Sequence, residues 1–318
     1  MFNIIQHSGN TSNIPAAIVP QTFTTDLCEQ WITYLDVKPK TLETYTRSIR
    51  QFVQFLHDNG ITTPTRDDVL AFRDNVKATH KPATTNLYIT SVKLFFAWLE
   101  QEGIYTNIAR HVKGCKLDNS THRKDYLTAG QAKNILSDID TSTLTGQRDY
   151  AIMVLMLTTG LRDCEVMRAN FGDLRTLGES VVLYIQGKGH DAKDAYVKIT
   201  EPAEKAIRAY ITARGKTADG DPLFAAHSNR NKGGRMTTRS ISRLVKNALR
   251  ASGYDSDRLT AHSLRHTAAT LSLLNGATLR ETQQLLRHTS VNTTLIYSHE
   301  LDRAANTAES RITGALFG

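Results

Sequence analysis

Six polar residues in the C-terminal half could do chemistry together: Arg162, Lys188, His262, Arg265, His288 and Tyr297. They stand in the strings TTGLRDCE (158–165), GKGH (187–190), AHSLRHTAAT (261–270) and LLRHTSVNTTLIYSH (285–299). Guanidinium forks bind non-bridging phosphate oxygens in pairs and stay charged. A phenol is mostly neutral at pH 7, so its attack on an anionic phosphodiester needs both charge neutralisation and removal of a proton. Imidazole titrates near neutrality and can take that proton, and a lysine held among cations can hand one to a departing alkoxide. The set describes a site for a phosphate-like anion with a phenol placed to attack it.

Each residue taken alone has a plainer explanation. Glu165, three residues after Arg162, is its obvious ion-pair partner. Such an acid fits better as an orienting group behind the arginine than as one facing a phosphate. His262 and His266 stand at the i, i+4 spacing of metal ligands, but no HExxH glutamate or carboxylate cluster accompanies them. His262 and Arg265, three residues apart, share a helix face, and His266 fits a structural role at the base of the site. Lys193 competes with Lys188 for the hairpin turn, and GKGH lacks the GxxxxGK[ST] pattern of a P-loop. An isolated Tyr in an apolar stretch is usually core; no tyrosine follows Tyr297, and the closest before it is Tyr254.

In their order and separations the four strings resemble the tyrosine recombinase (phage integrase) family, in an integrase- or Xer-like two-domain form. The resemblance covers roughly residues 24–300 and is strongest from Tyr126 onward. It implies a site-specific DNA recombinase that cuts and rejoins DNA through a covalent 3′-phosphotyrosine and a Holliday junction, with no cofactor, metal or ATP. It assigns Arg162 and Arg265 to the phosphate and His262 to hydrogen bonding and the tyrosine proton. Lys188 falls to the leaving 5′-oxygen, His288 to a non-bridging oxygen and Tyr297 to the attack. It further implies double-stranded DNA as partner, a dimer on each site and a tetramer in the synapse, with accessory DNA-bending or directionality factors as further candidates. One departure stands out: the family commonly has Gly just before the second histidine, where this chain has Arg287. Two rivals remain at this stage, a type IB topoisomerase sharing the phosphotyrosine chemistry and a non-catalytic DNA-binding regulator.

The elements that must position these groups are mostly helical. From Thr24 to Gly103 the pattern predicts four helices at about 24–35, 41–58, 66–79 and 84–102. Leu42, Tyr45, Ile49, Phe52, Val53 and Leu56 fall on one face of the second, and Leu87, Val92, Leu94, Phe95, Trp98 and Leu99 mark the fourth; both stripes read as core. Lys38, Lys40, Thr41, Thr44, Arg47, Lys81, Thr84, Thr85 and Lys93 gather near the starts of helices two and four. There cationic tips and free backbone N–H groups could meet DNA phosphates.

Further along, Thr128 and Gln131 make a capping box, AIMVLMLTT (151–159) reads as a buried helix stopped by Gly160, and VVLYI (181–185) with AYVKI (195–199) reads as a β-hairpin. Pro202 begins another helix. SNRNKGGR (228–235) reads as a mobile basic loop offering Arg230, Lys232 and Arg235 to DNA. A helix over about 238–251 then aligns Arg239, Arg243, Lys246 and Arg250 in one cationic stripe, of which Arg239 and Arg243 are expected to meet DNA, opposite Ile241, Leu244, Val245 and Leu249. Gly276 closes the next helix, and Thr278 with Glu281 caps the one that runs up to His288.

The expected fold is therefore mainly α with a small antiparallel β-sheet: a four-helix core-binding domain plus an α+β catalytic domain, which by resemblance form a C-shaped clamp on DNA. The expected boundaries are a flexible tail at 1–20, the helical DNA-binding domain at 21–112, a linker at 113–125 and the catalytic domain at 126–318. Residues 301–318 read either as a segment exchanged between protomers, with Ile312, Leu316 and Phe317 as its apolar side, or as an ordinary self-docked helix.

A chain of 318 residues suffices for two cores. The net charge of +8 lies wholly in the second part: residues 1–112 hold ten Lys/Arg against ten Asp/Glu, and residues 113–318 hold 29 against 21. That asymmetry points to a polyanionic partner. No apolar run of about eighteen residues and no signal-peptide h-region occurs, and Cys28, Cys115 and Cys164 are odd in number and widely spaced. A reduced cytoplasmic setting is expected.

Overall fold

The computed structural model describes residues 25–117, 125–187, 191–215, 217–229, 231–288, 290–291, 294–295, 297 and 307–317. The expected tail at 1–20, most of the linker, Lys188, Arg230 and residues 301–306 lie outside the described residues. The chain divides into two compact units, residues 1–118 and 119–318.

In the first unit the four expected helices are α1 (Thr25–Tyr34), α2 (Pro39–Asp58), α3 (Arg66–Thr79) and α4 (Pro82–Gln101). Helices α2 and α4 start two residues earlier than their apolar stripes suggest, because Pro39 and Pro82 occupy the first turn, where a missing N–H costs nothing and the fixed φ suits a helix. The stripes are core: Trp31 meets Phe95 edge-on at 5.5 Å between ring centroids, and Phe52 meets Phe72 at 5.1 Å. All four rings are buried, each contributing about 1.5–3 kcal/mol of transfer free energy.

The second unit is built on α6 (Leu144–Thr159), whose residues Ala151–Met156 are buried on every side. The other helices of this unit are α5 (Ala129–Ser137), α7 (Asp163–Arg168), α8 (Glu201–Arg214), α9 (Thr238–Ala251), α10 (Ala261–Leu274), α11 (Leu279–Leu286) and α12 (Ala308–Phe317), with α5, α8 and α10 packed against α6. A short 3-10 turn at Phe171–Asp173 leads into β1 (Leu174–Leu177), followed by β2 (Ser180–Ile185) and β3 (Ala195–Lys198). The sheet has order β1-β2-β3 and is antiparallel throughout, with Leu183 facing Leu174 on one side and Val197 on the other.

The expected hairpin is therefore the inner and one outer strand of a three-stranded sheet. β1 and α7 were not foreseen. The capping box of Thr128 and Gln131 forms as expected, with Gln131 N donating to Thr128 Oγ1 at 3.2 Å. Helix α12 buries none of its side chains, and Ile312, Leu316 and Phe317 are exposed.

Candidate active site

Four separate pieces of the second unit converge. Gly160 ends α6 in the left-handed conformation (φ 61°), and the chain turns at once into Arg162, the N-cap of α7. Glu165, one turn on, reaches back: Arg162 donates its backbone N–H to Glu165 Oε2 at 2.8 Å and its Nη1 to Oε1 at 3.0 Å. Glu165 is 1% exposed, whereas the Arg162 side chain keeps 28%. The arginine thus has its carboxylate behind it and its outer edge open.

Helix α10 brings His262, Arg265 and His266. Arg265 is buried, donating Nη1 to the Gly160 carbonyl at 2.5 Å and Nη2 to the Leu286 carbonyl. Two helix ends therefore hold one guanidinium. Burial, then the neighbouring Arg162 and Arg287, push its pKa down to about 10, with Glu165 and Tyr297 acting the other way. It stays charged at neutral pH, and a phenolate at Tyr297 would stabilise it.

Helix α11 ends at Arg287, which adopts the left-handed region (φ 53°, ψ 45°). The next residue, His288, places Nδ1 2.9 Å from Thr294 Oγ1, and its carbonyl accepts from Gln283 Nε2 at 3.0 Å. Burial, reinforced by Arg265, Arg162, Arg287 and His262, pushes the His288 pKa down to about 4, so its ring is neutral at physiological pH.

Tyr297 completes the group. It is 3% exposed and packs with Ala269, Leu286 and Leu273. The His266 ring lies 5.3 Å from it, and the His262 ring 4.6 Å beyond, edge-on to His266. His262 is exposed and His266 buried.

Of the six residues singled out from sequence, five are gathered here and Lys188 lies outside the described residues. Its competitor Lys193 is engaged by Asp173, while Arg168 Nη1 holds the Gly187 carbonyl at 3.1 Å at the start of the hairpin turn. Sequence reasoning missed the place of Arg287, whose Nη2 lies 3.0 Å from Glu165 Oε2, and the position of His266 between His262 and Tyr297.

The expected DNA-contact residues divide. Lys38 and Lys81 are exposed N-caps of α2 and α4. Lys40 and Arg47 are exposed but share Glu43, at 2.6 and 3.3 Å. Thr41, Thr84 and Lys93 are half-buried, and so is Thr44, whose hydroxyl donates to the Lys40 carbonyl at 2.8 Å.

Two of these expectations are corrected. Thr85 is buried, because it falls on the core face of α4 with Ile89, Val92 and Phe96, and its hydroxyl turns back to the Lys81 carbonyl. Arg235 is tied inward, donating to the carbonyls of Met167 (2.8 Å) and Ala169 (3.2 Å) and to Asn170 Oδ1 (2.6 Å). The free N–H groups expected at the starts of α2 and α4 are also fewer than thought. Pro39 and Pro82 have none, and the amides of Thr41, Leu42, Thr84 and Thr85 bond to the carbonyls of Lys38 and Lys81.

Lys232, Arg239 and Arg243 are exposed. The rest of the α9 stripe is neutralised by Asp255, 3.0 Å from both Lys246 and Arg250.

Residues 125–303 match the Phage integrase family, and residues 28–103 match the Phage integrase N-terminal SAM-like domain. The chain belongs to the phage integrase family. Among relatives of this family, Tyrosine recombinase XerC of Herpetosiphon aurantiacus is 31% identical over 85% of this chain and 89% of its own length. Tyrosine recombinase XerD of Listeria monocytogenes serotype 4b is 30% identical over 86% and 94%.

Two solved structures share the fold. XerH site-specific recombinase bound to difH substrate in a pre-cleavage complex has TM-score 0.67, 21% identity and coverage of 83% and 79%. A lambda integrase tetramer bound to a Holliday junction has TM-score 0.66, 20% identity and coverage of 86% and 76%. This phage integrase family member is a tyrosine-type site-specific recombinase, and the topoisomerase and regulator readings are not favoured. No helix among the described residues is long and apolar enough to cross a membrane.

Proposed function

We propose that Tyr297 is the nucleophile of this recombinase and that Arg162, Arg265, His262 and His288 form the receptor for the scissile phosphate. The observation that carries the reading is the anchoring of Arg265 on the carbonyls of Gly160 and Leu286. Those two bonds draw the loop bearing Arg162, the turn bearing His288 and the helix bearing His262 onto one point. Electrostatic stabilisation of charge building on phosphorus needs donors fixed in advance, and a guanidinium held by two helix ends is so fixed.

In the proposed step the Tyr297 oxygen bonds to phosphorus and the bond from phosphorus to the 5′-oxygen breaks. The phenolic proton passes to an imidazole, for which His262 is the candidate, and Lys188 supplies a proton to the leaving oxygen. Religation reverses the step: the free 5′-hydroxyl attacks the 3′-phosphotyrosine and Tyr297 leaves, so the bond energy is retained without ATP. Tyr297 is 3% exposed, so engagement with DNA must bring its hydroxyl to the phosphate.

Double-stranded DNA is the proposed substrate, with a dimer on each site, a tetramer in the synapse and accessory DNA-bending or directionality factors as further partners. Lys38, Lys81, Lys232, Arg239 and Arg243 are the proposed phosphate contacts, supported by their exposure. Segment 301–318 is proposed to dock on a neighbouring protomer, supported by the exposed Ile312, Leu316 and Phe317. A cytoplasmic site of action completes the reading.

A nicked suicide duplex, built from the repeats flanking the coding region, tests the nucleophile. The wild-type chain is expected to accumulate a covalent protein–DNA adduct and Tyr297→Phe none; adduct persisting in that variant refutes the assignment.

A further inference from the structure

Arg287 is the only non-glycine residue with positive φ among the described residues. A side chain there crowds the following carbonyl, a strain on an L-residue that glycine escapes. The arginine therefore has to return something through its side chain, and its contacts show what.

Arg287 Nη1 donates to the Leu285 carbonyl at 2.7 Å and Nη2 to Glu165 Oε2 at 3.0 Å. That same oxygen takes the Arg162 backbone amide, and the other oxygen of Glu165 takes Arg162 Nη1. One buried carboxylate is thus held from two sides, by the N-terminus of α7 and by the turn after α11. On either side of Arg287 in the chain, the Leu286 carbonyl anchors Arg265 and His288 follows.

We infer that Arg287 is a positioning residue: it fixes Glu165, and through it Arg162, to the turn that carries His288 and the anchor of Arg265, so that these groups act as one receptor. The inference rests on the phosphate-receptor reading above. Arg287 is not itself a phosphate ligand in this arrangement. Its Nη2 is paired with the Glu165 carboxylate, so its charge is already balanced, whereas Arg265 donates to two neutral carbonyls. Without Arg287, Glu165 keeps Arg162 as its one cationic partner among these contacts, and of the links described here only Arg265, through the Gly160 and Leu286 carbonyls, still joins the Arg162 loop to the α11 turn.

Arg287→Gly suits the left-handed turn and removes the guanidinium together with its aliphatic stem. With the same nicked duplex, single-turnover adduct formation at saturating DNA is expected to fall at least thirtyfold, while the Kd for the duplex stays within threefold. Arg287→Lys, which keeps a cation but loses the two-pronged donor, should lose only three- to tenfold.

In a Glu165→Gln background, Arg287→Gly should cost less than a further threefold, because both changes break the same link. Should Arg287→Gly fail to fold, Arg287→Lys in the two backgrounds carries the same comparison.

Three outcomes overturn the inference: a rate for Arg287→Gly within threefold of wild type, a loss confined to Kd, or the same loss in both backgrounds. If the wild-type chain forms no adduct, the nucleophile reading fails and takes this inference with it. If the wild-type chain forms adduct and Arg287→Gly matches it, the inference alone fails.

Discussion

Replacing Gly160 by Ala tests the joint between α6 and the site with a magnitude that the structure sets. At φ 61° an alanine meets the left-handed penalty, about 1 kcal/mol net of the entropy it removes from the unfolded chain. Its Cβ would also lie 2.7 Å from Leu286 Cδ2. Leu286 is buried, so this overpacking adds about 1–3 kcal/mol. Gly178 provides the control: its φ is 58° and an added Cβ there meets nothing within 4 Å. Gly178→Ala should cost the backbone penalty alone.

The difference between the two variants is then about 2 kcal/mol. For a unit of this size it appears as a Tm difference of roughly 4–8 °C. Shortening the obstructing side chain should recover part of it, so a double-mutant cycle of Gly160→Ala with Leu286→Val should show positive coupling of about 1 kcal/mol. Because the Gly160 and Leu286 carbonyls both hold Arg265, adduct formation should fall with Gly160→Ala and not with Gly178→Ala. Equal Tm shifts for the two alanines, or no coupling to Leu286, would refute this account of the joint.

Two further outcomes follow from the charges. His288 has its pKa lowered from the ordinary 6.5 to about 4 by burial and by the neighbouring Arg265, Arg162, Arg287 and His262. Between those values the unfolded chain binds a proton that the folded chain does not. Stability therefore falls as pH drops from about 6.5 to about 4 and is independent of this group above 6.5. Urea midpoints across that range should show a smaller acid loss for His288→Gln than for wild type, and parallel losses contradict the assignment. On α9, Arg239→Ala and Arg243→Ala should each lower the slope of log affinity against log salt by about 1. Arg250→Ala should lower it less, because Asp255 already holds that guanidinium at 3.0 Å; equal changes for all three variants contradict the pairing.

Much of the fold was legible because its elements are long and periodic. Helix α9 runs from Thr238 to Ala251 with Ile241, Leu244, Val245 and Leu249 buried, as its pattern predicts. Strand β1 and helix α7 escaped notice because four and six residues are too few to display a period. The burial of Thr85 could have been read, since it stands four residues before Ile89 on the same helical face.

The inward turn of Arg235 could not have been read, because its partners Met167 and Ala169 lie more than sixty residues away in the chain. The same holds for Arg287 and Glu165, 122 residues apart. Local spacing shows that a residue can bind phosphate, whereas its actual partner is set by tertiary packing. Arg162, Arg265, His288 and Tyr297 could be singled out because their separated strings together resemble one family, and the structure brings them near one another. That His266 sits between His262 and Tyr297 depends on where residue 297 returns to α10, which no local pattern encodes.

The identity of the attacking oxygen is tested most directly by mapping the covalent adduct. After trapping on a nicked duplex, nuclease trimming and tryptic digestion, the account predicts a nucleotide-bearing peptide spanning residues 288–303, cut after Arg287 and Arg303, with fragment ions placing the phosphate on Tyr297. A phosphate on any other residue, or on a peptide from elsewhere in the chain, contradicts it.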